Sequence, residues 1–279
     1  MILATASKII LLVALFVSLL PAVAFGEPVN AENTANASPW TFPQPAIQAI
    51  PEKLERIVID PGHGGTNEGA IGTAEMFEKY LTLQVALALS DQLSRAFPNA
   101  SIILTRSRDE GISLTERISR ANKLNADLFI SLHFNSSNNP DALGFESFWV
   151  GDFWEKDLLR DGVEITDEIR AQREKNAALS YRMACAFNAA MQQRFDVPNR
   201  GVKPGNYTVL TRAEIPAVVL ELAFLTHAVE GINLTAYAHQ AKYVDALVEA
   251  LIRYADISVS TDAIRGALTN KDMEHGKHN

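Results

Sequence analysis

Four residues stand at points where a β-rich stretch gives way to a loop or a helix begins, and their types suit hydrolytic chemistry. His63 sits in the run Pro61-Gly62-His63-Gly64-Gly65, directly after residues 56–60. Glu78 opens an amphipathic stretch after the loop 66–77, and His133 follows the strand-like residues 127–132. Glu221 comes at the end of the apolar stretch 217–220. Two imidazoles and one carboxylate from separate elements suit a zinc ion with an open fourth position. A carboxylate that is not a ligand could then take a proton from water and hand it to a leaving group. Each residue also has a plainer explanation. A histidine after a strand is commonly structural, a glutamate opening a helix complements its dipole, and one ending a strand is commonly solvated. Spacing alone leaves both accounts open.

The rest of the chain narrows the chemistry. The single cysteine, Cys185, excludes an internal disulfide framework and any multi-cysteine metal site, so a metal must be held by histidine and carboxylate. Lys and Arg number 25 against 33 Asp and Glu, a net charge of -8. An acidic chain argues against nucleic-acid binding, which depends on basic side chains neutralising phosphates. With 279 residues, 47% of them hydrophobic and 21% charged, it is neither a disordered tail nor a multi-span membrane protein.

The elements that must position these groups alternate in type. Strand signals fall at 56–60, 101–105, 127–132, 145–150, 207–210 and 217–222. Between them run helical stripes: Leu81, Val85, Leu89 and Leu93; Leu179, Met183, Phe187 and Met191; Val244, Leu247, Val248 and Leu251. Ser113 and Glu116 have the spacing of a capping box that opens a helix carrying Ile118 and Ala121. The expected fold is a single α/β domain over 54–255, with a mostly buried twisted sheet flanked by helices on both faces. Ahead of it, Lys8, the apolar run 9–20, Pro21 and Ala22-Val23-Ala24 read as a signal peptide over 1–24, cleaved after Ala24 or Gly26. Residues 25–53 read as a linker whose Trp40 and Phe42 could dock on the domain, and 256–279 as a polar C-terminal tail. The domain is therefore expected to be exported, to the periplasm or cell-wall space, with no membrane span after cleavage.

Ile57-Val58-Ile59-Asp60-Pro61-Gly62-His63-Gly64-Gly65 resembles the opening signature of the zinc-dependent N-acetylmuramoyl-L-alanine amidases of the AmiC type, the amidase_3 family. The likeness continues through Glu78-Lys79, Leu104-Thr105-Arg106, 114–117, Ala121-Asn122 and 126–135. It ends with Arg200-Gly201-Val202-Lys203 and 216–225, covering 56–253 in order. The resemblance implies that His63, Glu78 and His133 bind zinc and that Glu221 is the catalytic carboxylate. The substrate it implies is peptidoglycan, cut between the lactyl group of N-acetylmuramic acid and L-alanine, in wall remodelling or daughter-cell separation. A monomer is expected.

The sequence departs from the family pattern at Phe134, which would narrow the cleft, at Ala223 and at His227, which is expected to be peripheral rather than a fourth ligand. Arg106 and Arg117 are expected to pair within the fold, and Cys185 to be a buried, inert thiol. The charge-dense stretch 152–175 allows two readings. One is an inhibitory segment, with Glu155, Asp157 or Glu164 occluding the zinc until an activator protein displaces it. The other is a solvated helix extending the 176–195 helix. A zinc peptidase cutting within the stem peptide and a wall-binding regulator without catalysis are the rival functions. The regulator ranks below the enzyme because all four residues are present.

Overall fold

The computed structural model describes residues 54–73 and 75–255. The expected signal peptide, most of the linker with Trp40 and Phe42, and the C-terminal tail lie outside the described residues. Among the described residues one sheet is built from β1 (Arg56–Pro61), β2 (Ser101–Leu104), β3 (Leu128–Asn135), β4 (Phe145–Trp149), β5 (Asn199–Pro204) and β6 (Ala217–Phe224). Their spatial order is β2-β1-β3-β6-β4-β5. The first four in that order run parallel, β4 lies antiparallel to β6, and β5 is parallel to β4.

Alternation along the strands explains why helices cover both faces. Ile57 and Ile59 point into a cluster with Leu81, Val85 and Leu89 of α1 (Glu78–Ala96), Met183 and Phe187 of α4 (Asp167–Arg194), and Val244 and Leu247 of α7 (Tyr237–Ala255). Val58, Phe129 and Val219 point the other way. They meet Ile118 of α2 (Leu114–Lys123), Trp154 of α3 (Phe153–Arg160) and Leu210 of α5 (Thr208–Thr211). Strands buried on both faces read as nearly continuous apolar runs, as β1, β3 and β6 do. The expected single α/β domain with a helix-covered sheet is what the chain forms. The Ser113 hydroxyl accepts the Glu116 amide at 3.2 Å and caps α2 as the capping-box spacing predicts.

Three expectations change. Residues 207–210 form no strand: Tyr207 precedes the one-turn helix α5, whose Val209 and Leu210 are buried. So short an apolar run carries no period that separates helix from strand. In its place β5 supplies the sheet edge, where Gly201, Pro204 and exposed charges are tolerated. Third, α4 begins at Asp167 rather than near Asn176, with the Thr166 hydroxyl accepting the Ile169 amide at 3.3 Å. The helix-extension reading thus holds for 167–175, while 153–160 forms the separate helix α3. No helix of the described residues is long and apolar enough to cross a membrane.

Candidate metal centre and active site

The site lies where β1, β3 and β6 approach their carboxyl ends, as expected for a largely parallel sheet. β1 turns at Gly62, which has to be glycine: a Cβ there would come within 2.2 Å of His133 Cε1. His63 follows with φ of 61°, a left-handed conformation that costs a non-glycine residue free energy. Surrounding bonds impose it. Arg117 Nη2 donates to the His63 carbonyl at 2.5 Å, while Nη1 reaches Asp60 and the Pro61 carbonyl, each at 2.7 Å. Asp60 is buried and also accepts from Ser131 at 2.8 Å and Thr105 at 2.5 Å. Arg106 donates to the carbonyls of Pro61, Gly62 and Lys79. Both arginines therefore have the structural pairing expected of them: they are buried and spent on the backbone of the turn.

His63, Glu78 and His133 converge, with donor atoms all within 4.8 Å of one another. Glu78 is the first residue of α1 and nearly inaccessible. Its Oε2 lies 3.0 Å from His63 Nε2 and its Oε1 3.0 Å from His133 Nδ1. The carboxylate also accepts the amides of Ala70 at 2.9 Å and Phe134 at 3.0 Å. Burial alone would raise the Glu78 pKa, but the hydrogen bonds and charges of the two imidazoles outweigh it and hold the carboxyl well below the usual range. The same contact acts on His133: burial opposes its charge, yet Glu78 and Glu221 raise its pKa.

This donor set fits zinc. Ligands 2.0–2.1 Å from a tetrahedral ion lie roughly 3.3 Å apart; each imidazole is 3.0 Å from one oxygen of the carboxylate, and one donor atom from each of the three residues falls within 4.8 Å of the others. The far nitrogen of His63, Nδ1, faces Asn67 Oδ1 at 2.8 Å, the outer contact that fixes the tautomer of a ligating histidine. Gly69 leaves the room, since a Cβ there would meet Glu78 Oε2 at 2.6 Å and His63 Cδ2 at 2.8 Å.

Glu221 is paired with His133 across β3 and β6. It lies within β6, which runs on to Phe224, rather than at a strand end, and His133 likewise lies within β3. Its Oε2 is shut off from solvent and has no hydrogen-bond partner among the described residues. Burial, with the Glu78 and Glu146 charges adding and His133 opposing, pushes its pKa up to about 7.

A further row of polar groups extends from Glu221 toward the sheet edge, and position alone did not single it out. Glu146 is paired with Glu221 across the antiparallel β4–β6 junction and is buried. It accepts from Asn135 Nδ2 at 2.5 Å, forms an ion pair with Lys203, and lies 3.7 Å from Arg200 Nε. Tyr207 stands beside this row. Its ring packs edge-on against Phe148, and its hydroxyl is pushed up to about 12 by burial and by the charges of Glu221 and Glu146. One signal for the row was available: Glu146 is a lone charge in the apolar run Phe-Glu-Ser-Phe-Trp.

Other expected positions sort as follows. Phe134 does not narrow the cleft; it is buried in the core edge-on to Tyr243, because alternation in β3 turns it away from His133. His227 caps α6 (Ala228–Asn233) through the Glu230 amide at 3.2 Å and is not among the clustered ligands. Cys185 is half-buried rather than buried, with burial raising its thiol pKa. None of the proposed occluding carboxylates joins the ligand cluster. Asp157 bonds Thr211, Glu155 pairs with Arg170 at 2.9 Å, and Glu164 is exposed beyond α3. Trp154 anchors α3 in the core, away from the imidazoles.

A family profile described as N-acetylmuramoyl-L-alanine amidase matches residues 57–253. The chain is 30% identical over 213 residues to the uncharacterized protein YqiI of Bacillus subtilis, covering 76% of this chain and 91% of that one. It is 34% identical over 172 residues to the sporulation-specific N-acetylmuramoyl-L-alanine amidase of the same organism, covering 62% of this chain and 57% of that protein. The fold matches that of the N-acetylmuramoyl-L-alanine amidase AmiC2 of Nostoc punctiforme, with a TM-score of 0.61 at 24% identity. That match covers 74% of this chain and 99% of AmiC2.

Proposed function

The chain belongs to the N-acetylmuramoyl-L-alanine amidase family, and on that footing we propose that it hydrolyses the lactyl–L-alanine amide of peptidoglycan at the His63, Glu78, His133 and Glu221 site. His63, Glu78 and His133 would hold the ion, which we read as zinc from the mixed imidazole–carboxylate donors. When bound, zinc supplies a Lewis acid and brings the pKa of water down toward 7.

Glu221 manages the proton. In its ionised form it accepts one from the attacking water, and it returns that proton to the alanine nitrogen as the amide breaks. A C–O bond forms and the C–N bond is lost, leaving a lactyl carboxyl group and a free L-alanine amine. A carboxylate with one oxygen free of other partners among the described residues can take the proton and give it back. The single observation that carries this reading is the buried, unpartnered Glu221 oxygen beside the His–Glu–His cluster. Residues 1–24 would direct export, which brings the domain to its substrate.

The test is incubation with purified peptidoglycan, with and without a chelator, followed by identification of the new amino termini. Chelator-sensitive release of peptides beginning with L-alanine is the expected result. Other new termini would replace the amidase reading with a stem-peptide peptidase.

A further inference from the structure

Resting on the amidase reading, we propose that Lys203 is a specificity-determining residue: it binds the free α-carboxylate of the stem-peptide residue that follows L-alanine. The direction of the stem comes from Glu221. The group that protonates the alanine nitrogen must adjoin the leaving amine, so the peptide lies on the side of Glu221 away from the imidazoles. On that side the sheet order continues from β6 to β4 and β5, carrying Glu146 and then Lys203.

Distance supports the assignment. Lys203 stands on β5, but its ion pair with buried Glu146 draws the ammonium back over β4. Glu146 is one strand spacing, roughly 4.8 Å, from Glu221 across the β4–β6 pair, and the ammonium sits on its carboxylate. In a stem whose second residue is a γ-linked glutamate, the alanine nitrogen and the α-carboxyl carbon are at most ~6.8 Å apart along the chain. An ammonium carries three N–H donors; the Lys203 side chain is 42% exposed and bonds Glu146, so it can still donate into the cleft. Arg200 Nε lies 3.7 Å from the same Glu146 Oε2 that Lys203 pairs with, its guanidinium over the Phe224 ring. Asn135 fixes the other carboxylate oxygen. Glu146 is thus the positioning residue and Lys203 the one that meets substrate.

A charge-assisted bond of this kind is worth roughly 10- to 100-fold in binding. The experiment compares kcat/KM of the zinc-loaded protein on two muropeptides that differ only in whether this α-carboxyl is free or amidated. Wild type should prefer the free acid by tenfold or more. Lys203→Met should lose more rate on the free acid than on the amidated substrate, bringing the ratio near one, and Lys203→Arg should restore the preference. If Lys203→Met does not fold, Lys203→Gln, which keeps a donor to Glu146, makes the same comparison. Equal cleavage of both substrates by wild type overturns the proposal while leaving the amidase reading intact. So does an equal loss on both in the variant, which would mark Lys203 as support for Glu146 only. No alanine-terminated product from either substrate would instead refute the amidase reading, and the proposal with it.

Discussion

Replacing Glu221 by glutamine should abolish hydrolysis and, in metal-stripped protein, make the fold more stable at alkaline pH. An ordinary glutamate ionises at 4.5, whereas Glu221 is pushed up to about 7. Between those values the folded protein holds a proton that the unfolded chain has released. Stability from this group is therefore fully present below pH 4.5, is lost as pH rises through that window, and stays lost above pH 7. At about 1.36 kcal/mol for each pH unit the penalty at pH 8 approaches ~3 kcal/mol. Glutamine does not titrate, so Glu221→Gln escapes it. A domain of this size shifts its Tm by roughly 2–4 °C per kcal/mol, which predicts about 6–12 °C at pH 8 and only about 2–3 °C at pH 5. Thermal unfolding of both proteins in chelator at the two pH values is the assay. With zinc restored the gap should narrow, because a cation beside Glu221 favours its charged form. A pH-independent difference, or a variant that is less stable at pH 8, would show that Glu221 is not held in the environment described.

Other consequences are open to test. Gly62→Ala would press a Cβ into the His133 ring, so the folded variant should retain little zinc; full stoichiometry by metal analysis would refute the packing account. Asp60→Ala strands buried Arg117 beneath the turn and should cost about 3–5 kcal/mol in urea unfolding; a loss under ~1 kcal/mol would mean the network is redundant. Glu155→Gln and Asp157→Asn should leave peptidoglycan hydrolysis within about twofold, because these carboxylates serve Arg170 and Thr211. A several-fold rise in either variant would restore the inhibitory segment.

What the sequence made legible follows from what each residue's surroundings demand. β1, β3 and β6 announce themselves because burial on both faces leaves them almost wholly apolar. The candidate ligands stand out because each lies beside a glycine-rich turn, a helix start or a β-rich run, and the family resemblance gives that choice its weight. The same rule singles out Glu221 as a candidate, although β6 carries on through it for three more residues. The failures are local. Tyr207 to Leu210 is apolar and β-branched in part, yet packing under α3 winds it into a turn of helix. β5 went unread because an edge strand need not bury its charges, and Arg200 and Lys203 conceal its period. The Glu146 row was illegible for a different reason. It depends on an antiparallel pairing between β4 and β6, and residues distant in sequence become neighbours only once that register is fixed.

That pairing gives β6 two unlike neighbours. On one side a parallel register ties Glu221 to His133; on the other an antiparallel register ties it to Glu146. The groups proposed to break the bond hang from the centre of the sheet and from α1, whereas those that would read the stem peptide belong to β4 and β5 at its margin. Everything between those two strands, α3 and α4 included, is one excursion of the chain that leaves and rejoins the sheet on the same side of Glu221. On the reading proposed above, substitutions in β4 and β5 would alter which stem peptides are accepted and leave His63, Glu78, His133 and Glu221 in place.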